Sequence, residues 1–156
     1  MRISSVITTT LLLLSFVQLV TGQDHEKKIA RSQLPPASER TITEQSKGAE
    51  IRGFAQEREG GKTYYEAEMK VNGHSKDVLV DAEGKLIEVE EEVSIASLPV
   101  AVRNGLQAEA GTGVLRKVES ITKENKLVAY EAQVVTKGKH FEVQVGPDGK
   151  PLQHEE

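Results

Sequence analysis

Few side chains in this sequence could do chemistry, and they are widely spaced. There is no cysteine, which removes a thiol nucleophile, a thiolate metal site and any disulfide. The histidines are His25, His74, His140 and His154, and no two of them show the spacing of HExxH or another metal-ligand motif. His25 and His154 fall in tails. His74 and His140 each follow a hairpin glycine, Gly73 and Gly138, and could form a metal or pH-sensing pair across a symmetric sheet; exposed strand starts are the plainer reading. Ser32, Ser38, Ser46, Ser75, Ser94, Ser97 and Ser120 all lack the Gly-x-Ser-x-Gly context of a hydrolase nucleophile. Asp81, Glu83 and Asp148 sit in glycine turns without the oxygen-ligand series of an EF-hand loop. Turn chemistry, in which an Asp carboxylate accepts from its own backbone, accounts for them. No catalytic residue, cofactor or metal is expected, and the chain reads as a non-enzyme.

What remains is binding. Tyr64 lies on the opposite strand face from Tyr65 and is the best exposed aromatic anchor. With Glu66, Glu68, His74 and His140 it makes up the candidate interface. Glu88, Glu90, Glu91 and Glu92 form an acidic run, read as a solvated strand face and linker, or as a patch that meets a basic partner or deters edge-to-edge aggregation. The chain holds 24 acidic and 20 basic residues, a net charge of -4. That balance argues against nucleic acid or an anionic membrane as the partner.

The elements that must position these residues begin after a targeting signal. Arg2, the apolar run around Leu11 to Leu14, and Val20-Thr21-Gly22 before a polar stretch have the layout of a secretory signal peptide over residues 1–22. After its removal no membrane contact is expected, and the location is exported, periplasmic or secreted. Residues 23–33 read as a flexible polar leader. Beyond them, landmarks recur in order. Leu34-Pro35 returns as Leu98-Pro99, Tyr65-Glu66-Ala67 as Tyr130-Glu131-Ala132, Gly73 as Gly138, and Gly84-Lys85 as Gly149-Lys150. One single-residue indel in a turn reconciles the series, so a tandem duplication is read, residues 34–93 and 94–156. Each unit opens with proline in a first helical turn. Strands follow with clean alternation: Tyr65, Ala67, Met69 and Val71 on one face, Glu66, Glu68 and Lys70 on the other. Asn72-Gly73 is a hairpin signal. The expected fold class is α+β: two tandem repeats, each one helix packed on an about four-stranded antiparallel sheet, sharing a core or extending one sheet. The final strand is expected at 151–155.

Leu-Pro at a helix start, "YYEAEMKVNG" in mid-unit and "VDAEGKLIEVEEE" at the end together resemble the PepSY-like family, also described as β-lactamase-inhibitor-protein-like. The second unit departs from the pattern, with Gly146 where the leading acid stands and Pro151 where an aliphatic residue is usual. The resemblance implies an exported, non-catalytic binding module with a protein partner, such as a secreted peptidase or other hydrolase inhibited by steric occlusion. The alternative it leaves is an envelope structural or stress-related module with no inhibitory target. "QVVTKG", residues 133–138, nearly matches the Gln-x-Val-x-Gly loop of cystatin-type inhibitors, but its glycine comes one residue late. N-terminal sequencing of the exported protein is expected to begin at Gln23; an intact Met1 would overturn the signal-peptide reading.

Overall fold

The computed structural model of the chain describes residues 26–152 and 156. The segment read as a signal peptide, the cleavage expected after Gly22, His25 and His154 lie outside the described residues. Eight strands form a single antiparallel sheet in simple chain order. They are β1 (Lys27–Lys28), β2 (Glu50–Glu59), β3 (Lys62–Val71), β4 (His74–Asp81), β5 (Leu86–Glu92), β6 (Val114–Lys123), β7 (Lys126–Thr136) and β8 (Lys139–Val145). Helix α1 (Pro36–Gln45) precedes β2, and helix α2 (Val100–Ala110) crosses from β5 to β6.

The helices form where proline opens a turn and buried side chains return every four residues. In α1, Ser38 and Ile42 are buried one turn apart; in α2, Val102, Leu106 and Ala110 repeat that spacing. Register puts both helices on one side of the sheet. Ala67 stands opposite Val78, and Val78 opposite Val89. These positions and their neighbours receive α1, in a cluster of Leu34, Ile42, Ala67, Met69, Val78 and Val80 with Tyr65 packed against it. A second cluster, Leu98, Val102, Leu106, Val118, Ala132 and Val145, receives α2 and includes Tyr130 at its margin.

The expected fold class is corrected here. The strands do not divide into two helix-on-sheet units of about four strands each. They make one predominantly β layer, because β5 pairs along its length with β6, from Glu88 opposite Lys123 to Glu92 opposite Glu119. Joining the two satisfies ladder N–H and C=O groups that two separate sheets would leave exposed at their edges. Two further expectations also change. The leader is not wholly without structure, since Lys27 and Lys28 pair with Gln56 and Ala55 and a 3-10 turn covers Arg31–Gln33. Of the strand expected at 151–155, residues 153–155 lie outside the description; the described part shows one bridge, between Val145 and Pro151, and proline brings no N–H to a ladder.

Each helix start rests on a glycine turn. Gly84, at φ +83, lies so close beneath α1 that a Cβ there would stand 2.6 Å from the Ala37 carbonyl oxygen. The Ser38 hydroxyl donates to the Asp81 carbonyl at 2.7 Å and the Thr41 hydroxyl to that of Gly84 at 2.6 Å. Gly149, at φ +78, approaches α2 even more closely, and a Cβ would overlap the Ala101 carbonyl oxygen. Asp81 and Asp148 shape these turns by accepting the backbone N–H of Lys85 and Lys150. Gly149→Ala is expected to cost about 3 kcal/mol or more in urea unfolding, since it adds backbone strain to a clash with helix backbone. Gly138→Ala, where a Cβ meets nothing within 4 Å, should cost only about 1 kcal/mol from its positive φ.

Candidate functional site

The alternation that sends Ala67 and Met69 beneath α1 turns Tyr64, Glu66 and Glu68 to the uncovered face of the sheet. Pairing extends that set sideways. Glu68 stands opposite Asp77, Asp77 opposite Glu90, and Glu90 opposite Ile121. In a neighbouring row Glu66 stands opposite Leu79, Leu79 opposite Glu88, and Glu88 opposite Lys123. The apolar members of this face are deeply buried although both helices lie on the other side. Ile121 is 1% exposed and Ala129 0%, and neither belongs to a helix-side cluster. On this face a hollow of about 90 Å³ is lined by Glu57, Glu66, Asp77, Leu79, Glu88 and Glu90, with Val78 at its floor.

Carboxylates gathered here and withdrawn from water resist ionisation. Burial, then the nearby charges of Glu57, Asp77, Glu26 and Glu68, push Glu66 up to about 8. Burial, a hydrogen bond that the protonated Glu90 carboxyl donates to Glu88, and the charges of Glu88, Glu119 and Glu131 push Glu90 up to about 9. Asp77 rises to about 6, chiefly through burial and Glu119, with Lys117 opposing. Two lysines answer this charge. Lys117 Nζ lies 2.6 Å from Glu119 and Lys123 Nζ 3.4 Å from Glu88. Glu119, 4% exposed, also accepts from the Ser75 hydroxyl at 3.1 Å. Glu92 behaves in the opposite way at the rim: the Ser75 N–H, donating at 3.0 Å, holds its carboxyl below the usual range.

Oxygens of Asp77, Glu90 and Glu119 come within 4.8 Å of one another, as do those of Glu26, Glu66 and Glu68. Either set supplies fewer than the six to eight oxygens, roughly, that a calcium ion gathers. In the first, the Lys117 ammonium already faces Glu119.

The structure brings only some of the expected interface residues together. Glu66 and Glu68 lie at the centre of the face. Tyr64 is half-buried rather than exposed and stands at the rim opposite Asp81, lining a hollow with Lys85 and Ile87. His74 and His140 form no pair, because they occupy separate hairpins on β4 and β8, four strands apart in the sheet. At about 4.8 Å per strand, that is roughly 19 Å measured across the ladder. His74 Nδ1 lies 3.6 Å from Glu92, whereas His140 lies beside Phe141 in an exposed hollow. His74 and Ser75 are neighbours, but both lean on the Glu92 carboxylate, with Ser75 Oγ at 3.2 Å. A nucleophile–base contact is thus not what they form.

Asp77, Glu88 and Glu90 are the residues that the candidate interface omits. Their signal was the alternate spacing of acids in "LIEVEEE" and the single Asp of "SKDVLV". Glu88 and Glu90, read as solvated, are half-buried because β5 is an interior strand.

No family model and no curated protein matches the chain. Solved structures do. A candidate periplasmic protein of Bacteroides eggerthii is similar at TM-score 0.62 and 19% identity, over 77% of this chain and 86% of that one. A DUF2874 family protein of Bacteroides uniformis is similar at TM-score 0.60 and 18% identity, over 76% and 86%. A BLIP-like protein of Bacteroides fragilis is similar at TM-score 0.55 and 24% identity, over 76% and 83%. These likenesses are of fold. They support a β-lactamase-inhibitor-protein-like fold, but neither PepSY in particular nor two tandem units.

An acid whose folded pKa is raised is neutral in both states below its unfolded pKa. Above that value unfolding lets it ionise, so stability falls as pH rises. Urea midpoints are therefore expected to decline from about pH 5 toward pH 9, the span set by the ordinary carboxylate value and by Glu66 and Glu90. Glu90→Gln should raise stability at pH 8 by about 1–2 kcal/mol, the linkage of about 1.4 kcal/mol per pH unit being reduced by partial solvent access. A flat pH profile from pH 5 to 9 would contradict the raised carboxyls.

Proposed function

We propose that the chain is an exported, non-catalytic binding protein whose uncovered sheet face docks a basic segment of a protein partner. One observation carries this reading: the carboxylate-lined hollow of about 90 Å³. It is far smaller than the roughly 300 Å³ at which small-molecule and cofactor sites begin. It is large enough for the tip of a lysine side chain, and its charge is of the sign that an ammonium or guanidinium group complements. Tyr64 at the rim adds an aromatic surface against which the aliphatic stem of such a side chain can lie. The N-terminal sequence pattern supports export, as does the periplasmic description given to the similar B. eggerthii protein. Among the described residues no helix is long and apolar enough to cross a membrane.

Where the partner is a secreted hydrolase, occupation of the face by a basic loop would block the enzyme sterically, without covalent chemistry. The test is binding of an acetylated, amidated lysine-rich decapeptide, followed by fluorescence anisotropy at low salt and again at 0.5 M salt. Binding is expected at low salt and should weaken as screening increases. The double substitution Glu68→Gln, Glu88→Gln should weaken it about tenfold, while Glu109→Gln on the exposed side of α2 should leave it unchanged. Equal binding of an acidic peptide, or no loss in the double variant, would refute the reading.

A further inference from the structure

We infer that the row Glu68–Asp77–Glu90, with Glu66 beside it, stores protons that a docked cationic segment must expel, so that occupancy of this face follows pH; the inference rests on the docking reading above. Its basis is register. The three residues stand directly opposite one another on β3, β4 and β5 and face the same side. Opposite side chains in a sheet begin about 5 Å apart, a spacing at which like charges oppose each other.

The surroundings from every packed strand work in the same direction. Asp77 is met by Glu68 from β3, Glu90 from β5, and both Glu119 and Lys117 from β6. Glu90 is met by Glu88 on its own strand, Glu119 from β6 and Glu131 from β7. Glu66 is met by Glu57 from β2, Asp77 from β4, Glu68 on its own strand, and Glu26 before β1. Two lysine charges at the face are engaged already, Lys117 by Glu119 and Lys123 by Glu88, while Lys70 of β3 and Lys28 of β1, opposite Ala55, share the face toward its β1 edge. With the face empty, the group is least strained when part of it stays protonated, and the hydrogen bond between Glu88 and Glu90 is the contact through which a proton is held. An arriving ammonium supplies the missing positive charge. It favours the ionised carboxylates, and the protons leave to solvent. Affinity for a cation must then rise with pH across the interval in which the free face is still protonated, about tenfold per pH unit for each proton released.

The test has two parts on the same full chain. Carboxyl carbon NMR titration of the free protein is expected to show Glu66 and Glu90 titrating well above the ordinary carboxylate range. Calorimetry with the capped lysine-rich peptide, in buffers of different ionisation enthalpy, is expected to show at least one proton released per binding event and binding at least tenfold tighter at pH 8 than at pH 6. Glu66→Gln with Glu90→Gln, which makes those two positions permanently neutral, should bind like the natural protein at pH 6 but lose most of the gain at pH 8. If Glu66 and Glu90 titrate near 4.5, or if binding releases no proton, the inference is overturned even though the peptide docks. If they titrate high but no peptide binds at either pH, the docking reading falls and takes the coupling with it.

Discussion

The packing of each helix start onto a glycine turn is the contact on which the rest of the molecule depends. At Gly84 and Gly149 the turn comes so close to helix backbone that no side chain fits between them. That approach sets the height of α1 and α2 over the sheet and therefore which strand residues lie beneath them. Once Ala67, Met69 and Val78 are committed to the helix side, period-two alternation leaves no choice about Glu66, Glu68 and Asp77. The acidic character of the opposite face follows from packing that occurs on the other side of a single layer of backbone.

That face runs against stability. Half-buried carboxylates opposite one another on adjacent strands would be avoided in a sheet selected only to fold, and Ile121 and Ala129 beneath them show that the area is shielded enough to make the repulsion felt. A fold with two cores on its helix side can carry this cost. Strained electrostatics of this kind, placed in a hollow and away from the cores, are characteristic of sites that gain by meeting a ligand of opposite charge.

Several elements were legible before any coordinates. Proline before each helix and the alternation through Tyr65, Ala67 and Met69 are local patterns with one favoured conformation each, and the helices and this strand fall where those patterns lie. The turn roles of Asp81 and Asp148 were equally local. Most of the expectations that changed concerned partners distant in sequence; at the last strand the cause is local, in Pro151 itself. Glu88 and Glu90 looked solvated because an acidic strand reads the same whether it is an edge or an interior strand. The plainer reading of His74 and His140 was exposed strand starts; the pair they could have formed is absent because matching positions in sequence need not be neighbours in a sheet.

The sequence by itself determined where most of the strands form, which face of the Tyr65 strand is apolar and that its other face carries Glu66 and Glu68, since backbone periodicity and side-chain chemistry act over a few residues. Only the tertiary structure decided that β5 joins β6, so that one sheet replaces two, and that acids from β2 to β5 converge on one hollow. Strand pairing is a contest among many exposed ladders, and desolvation depends on everything packed nearby. Neither is written in a local pattern, and both came to bear on the same carboxylates.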